Sequence, residues 1–463
     1  MKEPLISDPK SGLPKTTVIA DSGSGFSKLF RWFKPAPHIQ RLPKDEVDRV
    51  YPGFRWQIFE SAYIGYASFY LVRNNLGPVM KEMGQALNYD KSMLGNIVAM
   101  SAISYGVGKF LMGYLSDRSN PRKFIAVGLI LSAIANFAFG ASMSYGMHLA
   151  LWTLNGLIQG MGYGPCARGL GHWYTYKERG TIFGVWNTAH NIGGGFVGIL
   201  AAFCAKHWGW SSAFYVPGTI ACVAAVYLFW RMRDTPQSVG LPPIEEYKNE
   251  YPPEEKDVHE KELSFKELLV TYILKNKYLW LIAIANFFVY VARYSMVDWG
   301  PTYLKEARGA TLIQGGASTT AIEFAGAGGM LLMGWISDKF QGRRGAVSML
   351  CMIPMLPAVA GLIFTPKGML WLDMCFLTIF GFLVYVPVMM LGVMSLDLTS
   401  KKAVGTAAGF VGLFGYIGRV VQGKGIGYLA EYHGWNSALY AVFASVALAI
   451  ILLAFTWNLR PKA

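Results

Sequence analysis

Residues 66–75 read Tyr66-Ala67-Ser68-Phe69-Tyr70-Leu71-Val72-Arg73-Asn74-Asn75, which places an arginine inside the first long apolar segment of the chain. The core of this motif recurs far downstream as Tyr290-Val291-Ala292-Arg293. A cation at the centre of a bilayer costs about 2.5–3.5 kcal/mol on insertion scales, so such residues are rare and usually functional. Two of them in matching positions predict one anion held between two halves of the chain. The alternative is that each arginine extends to a lipid headgroup or neutralises a buried carboxylate.

The composition is typical of a polytopic membrane protein. Of the 463 residues, 53% are hydrophobic and only 15% are charged. The formal net charge of +14 is compatible with nucleic-acid binding, but the basic residues flank apolar segments and therefore indicate membrane topology. No nucleic-acid partner is expected. The five cysteines include no CxxC pair, which argues against a disulfide framework or a zinc site.

Twelve apolar segments are long enough to cross a bilayer of about 30 Å. The expected spans are 57–82, 91–117, 122–144, 148–172, 181–206, 210–231, 278–304, 314–338, 345–364, 368–396, 403–430 and 435–457. Lys and Arg in the connecting loops fall on one face together with the basic N-terminal tail, so that face and both termini are expected to be cytoplasmic. No signal peptide is evident, so the first span is expected to direct insertion.

The chain is expected to consist of two six-helix halves joined by a hydrophilic linker. The predicted boundaries are an N-terminal tail at 1–55, a first half at 56–231, a cytoplasmic linker at 232–277, a second half at 278–458 and a tail at 459–463. Within the N-terminal tail, roughly the first 25 residues have the composition of a disordered segment. Nothing in this organisation requires an oligomer, so a monomer in the lipid bilayer is expected.

Three further pairs of segments repeat in the same order as the two arginine motifs and at nearly the same spacing. They pair Gly113–Arg122 with Gly334–Arg343, Arg179–Thr181 with Val404–Thr406, and Gly209–Tyr215 with Gly434–Tyr440. Four ordered matches predict a duplication about an axis along the membrane normal. The expected fold class is therefore an all-α membrane protein of twelve transmembrane helices in two pseudo-symmetric halves.

One repeated motif, Gly-x-x-x-Asp-Arg/Lys-x-x-x-x-Arg, lies at the cytoplasmic end of the second helix of each half. Its charges predict a gate, in which Asp117 and Asp338 pair with basic residues in one state and release them in another. Arg122 and Arg343 are the arginines of the same two motifs. The alternative is that these charges only set the topology.

These features resemble the major facilitator superfamily and, within it, the organophosphate:phosphate antiporters. The resemblance covers nearly everything after residue 34 and is carried by Lys34–His38, Tyr70–Arg73, Ser116–Arg122, Gln159–Gly162, Trp186–Gly195, Arg233–Ser238, Gly240–Lys248 and Asp298–Glu306. It implies the major facilitator fold and a secondary transporter in a bacterial inner membrane, with no enzymatic activity and no cofactor. The substrates it implies are inorganic phosphate and an organic phosphate ester, exchanged by alternating access, with glycerol-3-phosphate as the leading ester.

The resemblance also assigns the site. Arg73 and Arg293 correspond to the family's phosphate clamp, and His190 corresponds to its nearby histidine. The other implied substrate-binding residues are Asn187, Tyr66, Tyr70, Tyr105, Lys109, Tyr290, Tyr294, Tyr385 and Tyr416. Asp298 and Glu323 match acidic positions of the family and are expected to partner intramembrane cations. The alternative for His190 is a hydrogen bond within the protein. The alternative for Lys109 is extension of its side chain to the membrane interface.

Three residues depart from the pattern of the glycerol-3-phosphate carriers. Asn74 stands where a lysine usually follows the first arginine, and Arg419 and Lys424 replace small or neutral residues. An extra cation within reach would suit a substrate with a carboxylate. Hexose phosphates, phosphoglycerate or phosphoenolpyruvate therefore remain alternative substrates, and a transport-like sugar-phosphate sensor remains an alternative function.

The chemistry of the two arginines predicts exchange. Planar guanidinium groups bind phosphate bidentately, and one arginine from each half couples binding to closure of the halves. Without a ligand the two cations repel each other, so the empty protein should change state slowly and each imported phosphate species should require one exported in return. A membrane phosphatase would need a nucleophile or metal ligands near the arginines, and the sequence has no HExxH motif or carboxylate cluster there.

Overall fold

The computed structural model describes residues 32–250, 270, 273–340, 343–398 and 404–459. The segment predicted as a disordered start lies outside this part, and so do residues 251–269, 271 and 272 of the predicted linker. The N-terminal helices are α1 (Lys44–Leu71), α2 (Met80–Leu87), α3 (Lys91–Asp117), α4 (Pro121–Ala141), α5 (Tyr145–Gln159), α6 (Tyr163–Trp173), α7 (Tyr176–Asn187), α8 (Ala189–Trp208) and α9 (Ser212–Arg231). After a short helix α10 (Ile244–Lys248), the C-terminal helices are α11 (Lys277–Tyr294), α12 (Gly300–Ala307), α13 (Leu312–Lys339), α14 (Arg344–Met352), α15 (Met355–Phe364), α16 (Leu370–Asp397), α17 (Val404–Tyr432) and α18 (Gly434–Ala454).

Each of the twelve predicted spans is mostly helical within the described residues, although several are broken. Within the described residues, eight helical stretches are long and apolar enough to cross a membrane. Side chains cap the starts of two of the helices: Asp90 accepts a 2.7 Å hydrogen bond from the Met93 backbone N–H at the start of α3, and Thr311 forms a capping box at α13. Residues from Pro35 onward pack as one compact unit, and the predicted boundaries between two halves remain a prediction.

The first predicted span of each half is interrupted at its arginine. Helix α1 ends at Leu71, and Arg73 lies in the turn that follows, so the prediction that Arg73 is inside a continuous helix is wrong. Arg293 lies in the last turn of α11, and the chain then widens into a π-type turn at Ser295–Trp299 before α12. Discontinuous helices form the binding sites of many membrane transporters. Single π-type turns within helices are also frequent at functional sites.

The end of α1 is stabilised by asparagines from neighbouring helices. The Val72 carbonyl accepts hydrogen bonds from the side chains of Asn136, at 3.0 Å, and Asn155, at 2.9 Å. Asn75, which is fully buried, donates to Asn136 and to the Ala213 carbonyl. A backbone carbonyl freed within the membrane must find a donor inside the protein, and these amides supply it.

Three other predicted spans are also broken, and the ninth is split between α14 and α15. The fourth is split between α5 and α6, where a side chain on Gly160 would collide with the backbone of Gly108 in α3. The fifth is split at Thr188, two residues before His190. The breaks in the fourth and fifth spans therefore lie beside predicted site residues.

The N-terminal and C-terminal helices touch closely at two places, α8 against α13 and α3 against α17. A side chain on Gly316 would collide with the backbone of Gly198, and one on Gly95 would lie 2.6 Å from the Gly423 carbonyl oxygen. Glycines at these positions allow the helices to approach each other closely, as small residues do in membrane helix packing.

Ion pairs close the face of the bundle opposite the start of α1, which we call the distal face. Lys305 pairs with Glu82 and donates to the Pro78 carbonyl at 2.8 Å. Lys91 lies 3.2 Å from Glu306 and 3.1 Å from Glu431. Each of these contacts joins an N-terminal helix or its connecting turn to a C-terminal helix, so the distal face is held shut.

The start of α1 packs against the segment that follows α9. The Ile39 and Leu42 backbone N–H groups donate to the carbonyls of Gln237 and Gly240 at 3.1 and 2.9 Å. The ring of Tyr51 stacks on Tyr247 with centroids 4.0 Å apart. Part of the predicted N-terminal tail and part of the predicted linker therefore belong structurally to the N-terminal helices.

Candidate functional site

A cavity of about 150 Å³ lies between the N-terminal and C-terminal helices. It is lined by Tyr66, Tyr70, Arg73, Tyr105, Lys109, Tyr163, Asn187, His190, Tyr290, Arg293, Tyr294, Met330, Tyr385, Val388, Met389 and Tyr416. Every residue that the resemblance assigns to substrate binding is among them. Their proximity is a finding, whereas their role in binding remains a prediction.

A larger cavity of about 430 Å³ opens towards the face where α1 begins. Gly113, Arg168 and His172 line it, and it shares Tyr163 with the central cavity. The two cavities therefore adjoin each other at Tyr163.

Arg73 and Arg293 have aromatic rings as their neighbours. The Arg73 guanidinium carbon lies 3.9 Å from the centroid of the Tyr105 ring, and that of Arg293 lies 4.1 Å from the centroid of Tyr385. Both arginines are more than nine-tenths buried, and neither makes an ion pair within the described chain. The Nε atom of Arg293 also lacks a hydrogen-bond partner there. Cation–π contacts hold the two groups without consuming the N–H donors that an anion would need.

His190 lies between the aromatic partners of the two arginines. Its ring centroid is 5.4 Å from that of Tyr70 and 5.8 Å from that of Tyr385. The Nδ1 atom donates to the Asn187 carbonyl, which leaves Nε2 for another contact. A side chain on Gly193 would collide with the backbone of Ala67, so close packing of α8 on α1 fixes the position of this histidine.

Lys109 lines the N-terminal side of the cavity. Its Nζ atom lies 5.0 Å from the centroid of the Tyr163 ring and 5.8 Å from that of Tyr416. Its side chain is exposed although the residue lies within α3, because it faces the cavity. The expectation that Lys109 lines a site fits this position better than extension to the interface.

The two predicted intramembrane carboxylates lie behind the cavity wall. Asp298 accepts a 2.9 Å hydrogen bond from the Gln422 side chain, and Glu323 accepts a 3.0 Å hydrogen bond from Asn191. Neither lines the cavity, and their assignment as charge partners remains a prediction.

The residues predicted for the gate are only partly described. Asp117 and Asp338 lie near the ends of α3 and α13, and their side chains are outside the described part. Arg122 donates to the Phe229 carbonyl, and its guanidinium lies 4.5 Å from the Phe229 ring centroid, so it packs against its neighbour α9. Arg343 is half-buried at the start of α14. The gate therefore remains a prediction.

None of the three possible selectivity residues lines the cavity. Arg419 is buried beside Tyr294, Lys424 is exposed on α17, and Asn74 is half-buried beside Gly194 and Glu323. Lys424 is therefore not placed to contact a ligand in this state of the molecule.

Four cavity residues were not predicted from the sequence, namely Tyr163, Met330, Val388 and Met389. Tyr163 directly follows the Gln159–Gly162 motif, which is a signal that points to it. The other three are apolar residues of membrane helices, which the sequence does not distinguish from packing residues.

Comparison with known proteins gives consistent matches over nearly the whole chain. Residues 62–423 match the family model of the Major Facilitator Superfamily. The chain is 44% identical to the glycerol-3-phosphate transporter of Bacillus subtilis (strain 168), over 93% of this chain and 98% of that one. It is 40% identical to a probable hexose phosphate transport protein of Chlamydia trachomatis, over 93% and 97% of the two chains.

Among solved structures, the fold is similar to that of a bacterial homologue of the human lysosomal transporter Spinster. The TM-score is 0.68 over 87% of this chain and 95% of that one, at 13% sequence identity. At this identity the similarity concerns the fold alone.

Proposed function

Because the chain belongs to the Major Facilitator Superfamily, we propose that it is an antiporter that exchanges an organic phosphate ester for inorganic phosphate by alternating access. Membership of the superfamily confirms the predicted fold class, and it makes the protein a multi-pass membrane transporter and not an enzyme. The finer proposal concerns the substrate, the exchange and the side of the membrane.

The observation that carries the proposal is the pair of unpaired, buried guanidinium groups that face one cavity from two sets of helices. A phosphate monoester carries about −1.5 to −2 charges at pH 7 and offers several acceptor oxygens. Arg73 and Arg293 supply N–H donors in a planar arrangement that suits those oxygens. The His190 ring lies between Tyr70 and Tyr385, which contact the two arginines. A neutral solute would leave both charges buried and uncompensated, which is costly in a low-dielectric interior.

The same geometry supports exchange. Closure of the protein around an empty cavity would bring two cations together without an anion, so the empty form is expected to change state slowly. A bound phosphate offsets that repulsion and allows Lys305 and Lys91 to leave their partners on the distal face. Binding of a second phosphate species on the other side then permits the return step.

For the ester, glycerol-3-phosphate is the leading candidate and a hexose phosphate is the second. The Bacillus subtilis transporter supports the first at 44% identity, and the Chlamydia trachomatis protein supports the second at 40%. We propose a bacterial inner membrane as the location, with both termini in the cytoplasm and the cavity open to that side. A monomer contains the complete proposed site.

The test is counterflow into proteoliposomes preloaded with inorganic phosphate. Labelled external phosphate should enter only when phosphate is present inside, and glycerol-3-phosphate and glucose-6-phosphate should be compared as competitors. Saturable exchange, with one ester competing best, supports the antiporter and names its substrate. No exchange by folded protein that still binds the ester would instead favour a sensor.

A further inference from the structure

Three arginines meet at the C-terminal end of α9, on the face of the bundle where α1 begins. Arg122, at the start of α4, donates from its guanidinium group to the Phe229 carbonyl in the last turn of α9. Arg233 donates to two further carbonyls of this end, at 2.5 and 3.0 Å. Arg231 is the last residue of α9 itself. The three side chains, which we call the arginine cluster, therefore all start from or contact one end of one helix.

The arginine cluster carries more positive charge than its surroundings neutralise. Among the described residues, Glu60 of α1 is the only acid that forms an ion pair with any of the three, and it lies 3.5 Å from Arg231. Three cations and one carboxylate leave two formal positive charges. The helix end offsets only part of this, because a helix C-terminus is equivalent to about half a negative charge. Burial and the nearby cations Arg122 and Arg231 lower the pKa of Arg233, as expected for a cation among cations.

An exposed apolar stripe of α9 leads to the arginine cluster. It consists of Val223, Val226 and Trp230, each of which is more than half exposed. Their spacing of three and four residues places them on one face of the helix. Trp56 of α1 is also largely exposed, and it precedes Gln57, whose side chain donates to the last carbonyl of α9. Tryptophans are typical of the boundary between the acyl chains and the headgroups of a bilayer, so the arginine cluster lies at headgroup level.

We propose that this end of α9 binds one anionic phospholipid, whose phosphate is held by the arginine cluster and whose acyl chains lie along the apolar stripe. Guanidinium groups bind phosphate oxygens through several N–H donors at once. The two uncompensated charges favour a headgroup of net negative charge, since the amine of a zwitterionic lipid would add a further cation. None of these residues lines the central cavity, so the inference does not depend on the proposed function.

The experiment measures lipid binding to the purified full-length protein by native mass spectrometry. The two probes are phosphatidylglycerol and phosphatidylcholine with identical acyl chains, each titrated with and without an excess of inorganic phosphate. The variants are Arg231→Gln, the double variant Arg231→Gln/Arg233→Gln, and Glu60→Gln, which removes the one acid of the site. The matched control is Arg49→Gln, which removes an exposed arginine of α1 that pairs with Glu46.

The wild type should bind phosphatidylglycerol at least fivefold more tightly than phosphatidylcholine. Arg231→Gln should weaken phosphatidylglycerol by roughly fivefold and leave phosphatidylcholine nearly unchanged, and the double variant should weaken it further. Glu60→Gln raises the positive charge of the site and should strengthen phosphatidylglycerol several-fold. Arg49→Gln should bind both lipids like the wild type, and free phosphate should displace little lipid because it lacks the acyl chains.

Equal affinity of the wild type for the two lipids would overturn the proposal, as would an unchanged affinity for phosphatidylglycerol in Arg231→Gln. Displacement of phosphatidylglycerol by inorganic phosphate would show that the cluster is a site for free anions and would also overturn it. If the double variant does not fold, Arg231→Gln still decides the question, because within the described part of the chain the Arg231 guanidinium pairs with Glu60 and holds no backbone carbonyl.

Discussion

The Asn191 side chain donates a 3.0 Å hydrogen bond to Glu323, and this contact joins α8 to α13 one residue away from His190. The other Glu323 oxygen and the Tyr385 hydroxyl have no hydrogen-bond partner within the described residues. The carboxylate therefore connects the two sets of helices at the level of the cavity while retaining capacity for another donor. Such a contact has to be remade when the helices move relative to each other.

Replacement of Glu323 by Gln should separate binding from transport. The amide preserves the shape but removes the charge that offsets Arg293, so phosphate should bind at least as tightly while exchange slows by roughly tenfold. Calorimetric binding and proteoliposome exchange measure the two quantities. Asp45→Asn, an exposed acid in the first turn of α1, is the control. Parallel losses of binding and exchange would contradict a role in coupling.

The aromatic partner of Arg73 can be tested by a pair of substitutions at Tyr105. Tyr105→Phe keeps the ring that lies 3.9 Å from the guanidinium carbon, so phosphate affinity should fall less than about threefold. Tyr105→Leu removes the ring and should weaken binding by roughly tenfold, because desolvated cation–π contacts are worth about 1–2 kcal/mol. Equal effects of the two variants would show that the ring face is not what positions Arg73.

The ion pairs on the distal face should control which side of the site is open. Lys305→Met leaves Glu82 and the Pro78 carbonyl without their buried donor, so it should favour the state that is open on the distal face. A cysteine introduced at Asn74, in a background with Cys375→Ser, should then react several-fold faster with a membrane-impermeant thiol reagent added on that side.

The control for this labelling is Lys44→Met, which removes an exposed lysine at the start of α1. Its labelling rate should equal that of the parent. An unchanged rate in Lys305→Met would mean that helix packing, such as the Gly198–Gly316 contact, holds the distal face shut without help from the ion pair.

Glu178 lies on the face of the bundle where α1 begins, and its contribution to the free energy of unfolding depends on pH. Burial tends to raise its pKa, but hydrogen bonds from Arg55, at 2.6 Å, and from the Thr175 backbone N–H outweigh burial and lower the pKa below its ordinary value of 4.5. A carboxyl group with a lowered pKa in the folded state stabilises the protein above its unfolded pKa, and this contribution is lost as the pH falls through the folded value.

Glu178→Gln should therefore lower the melting temperature at pH 7, and its difference from the wild type should shrink as the pH falls below 4.5. Differential scanning fluorimetry across this range measures the effect. Glu46→Gln, whose ion-pair partner Arg49 is largely exposed, should change the melting temperature little. A difference for Glu178→Gln that persists unchanged at low pH would contradict the assignment.

The helical fold was predictable because apolar length and repeated motifs are properties of the sequence itself. The helix break after Leu71 was not, because it depends on Asn136 and Asn155, which are distant in sequence and satisfy the Val72 carbonyl. The sequence has no proline between Pro52 and Pro78, so the local pattern gives no reason for the helix to stop after Leu71.

The candidate site was predictable mainly through the resemblance to a known family, which named the polar and aromatic residues. The position of Arg419 was not predictable in the same way. Sequence shows that an additional cation is present, but only the packing of α17 shows that it is buried beside Tyr294 and does not line the cavity. Apolar lining residues such as Met330 leave no signal because packing residues have the same composition.

The central claim is that Arg73 and Arg293 together hold one phosphate, and calorimetric titration of phosphate into purified protein tests it most directly. The wild type should bind, while Arg73→Lys and Arg293→Lys, which keep the charge but lose the planar donors, should each bind at least tenfold more weakly. Arg49→Lys, an exposed arginine of α1, should bind like the wild type. Wild-type affinity in either site variant would contradict the claim.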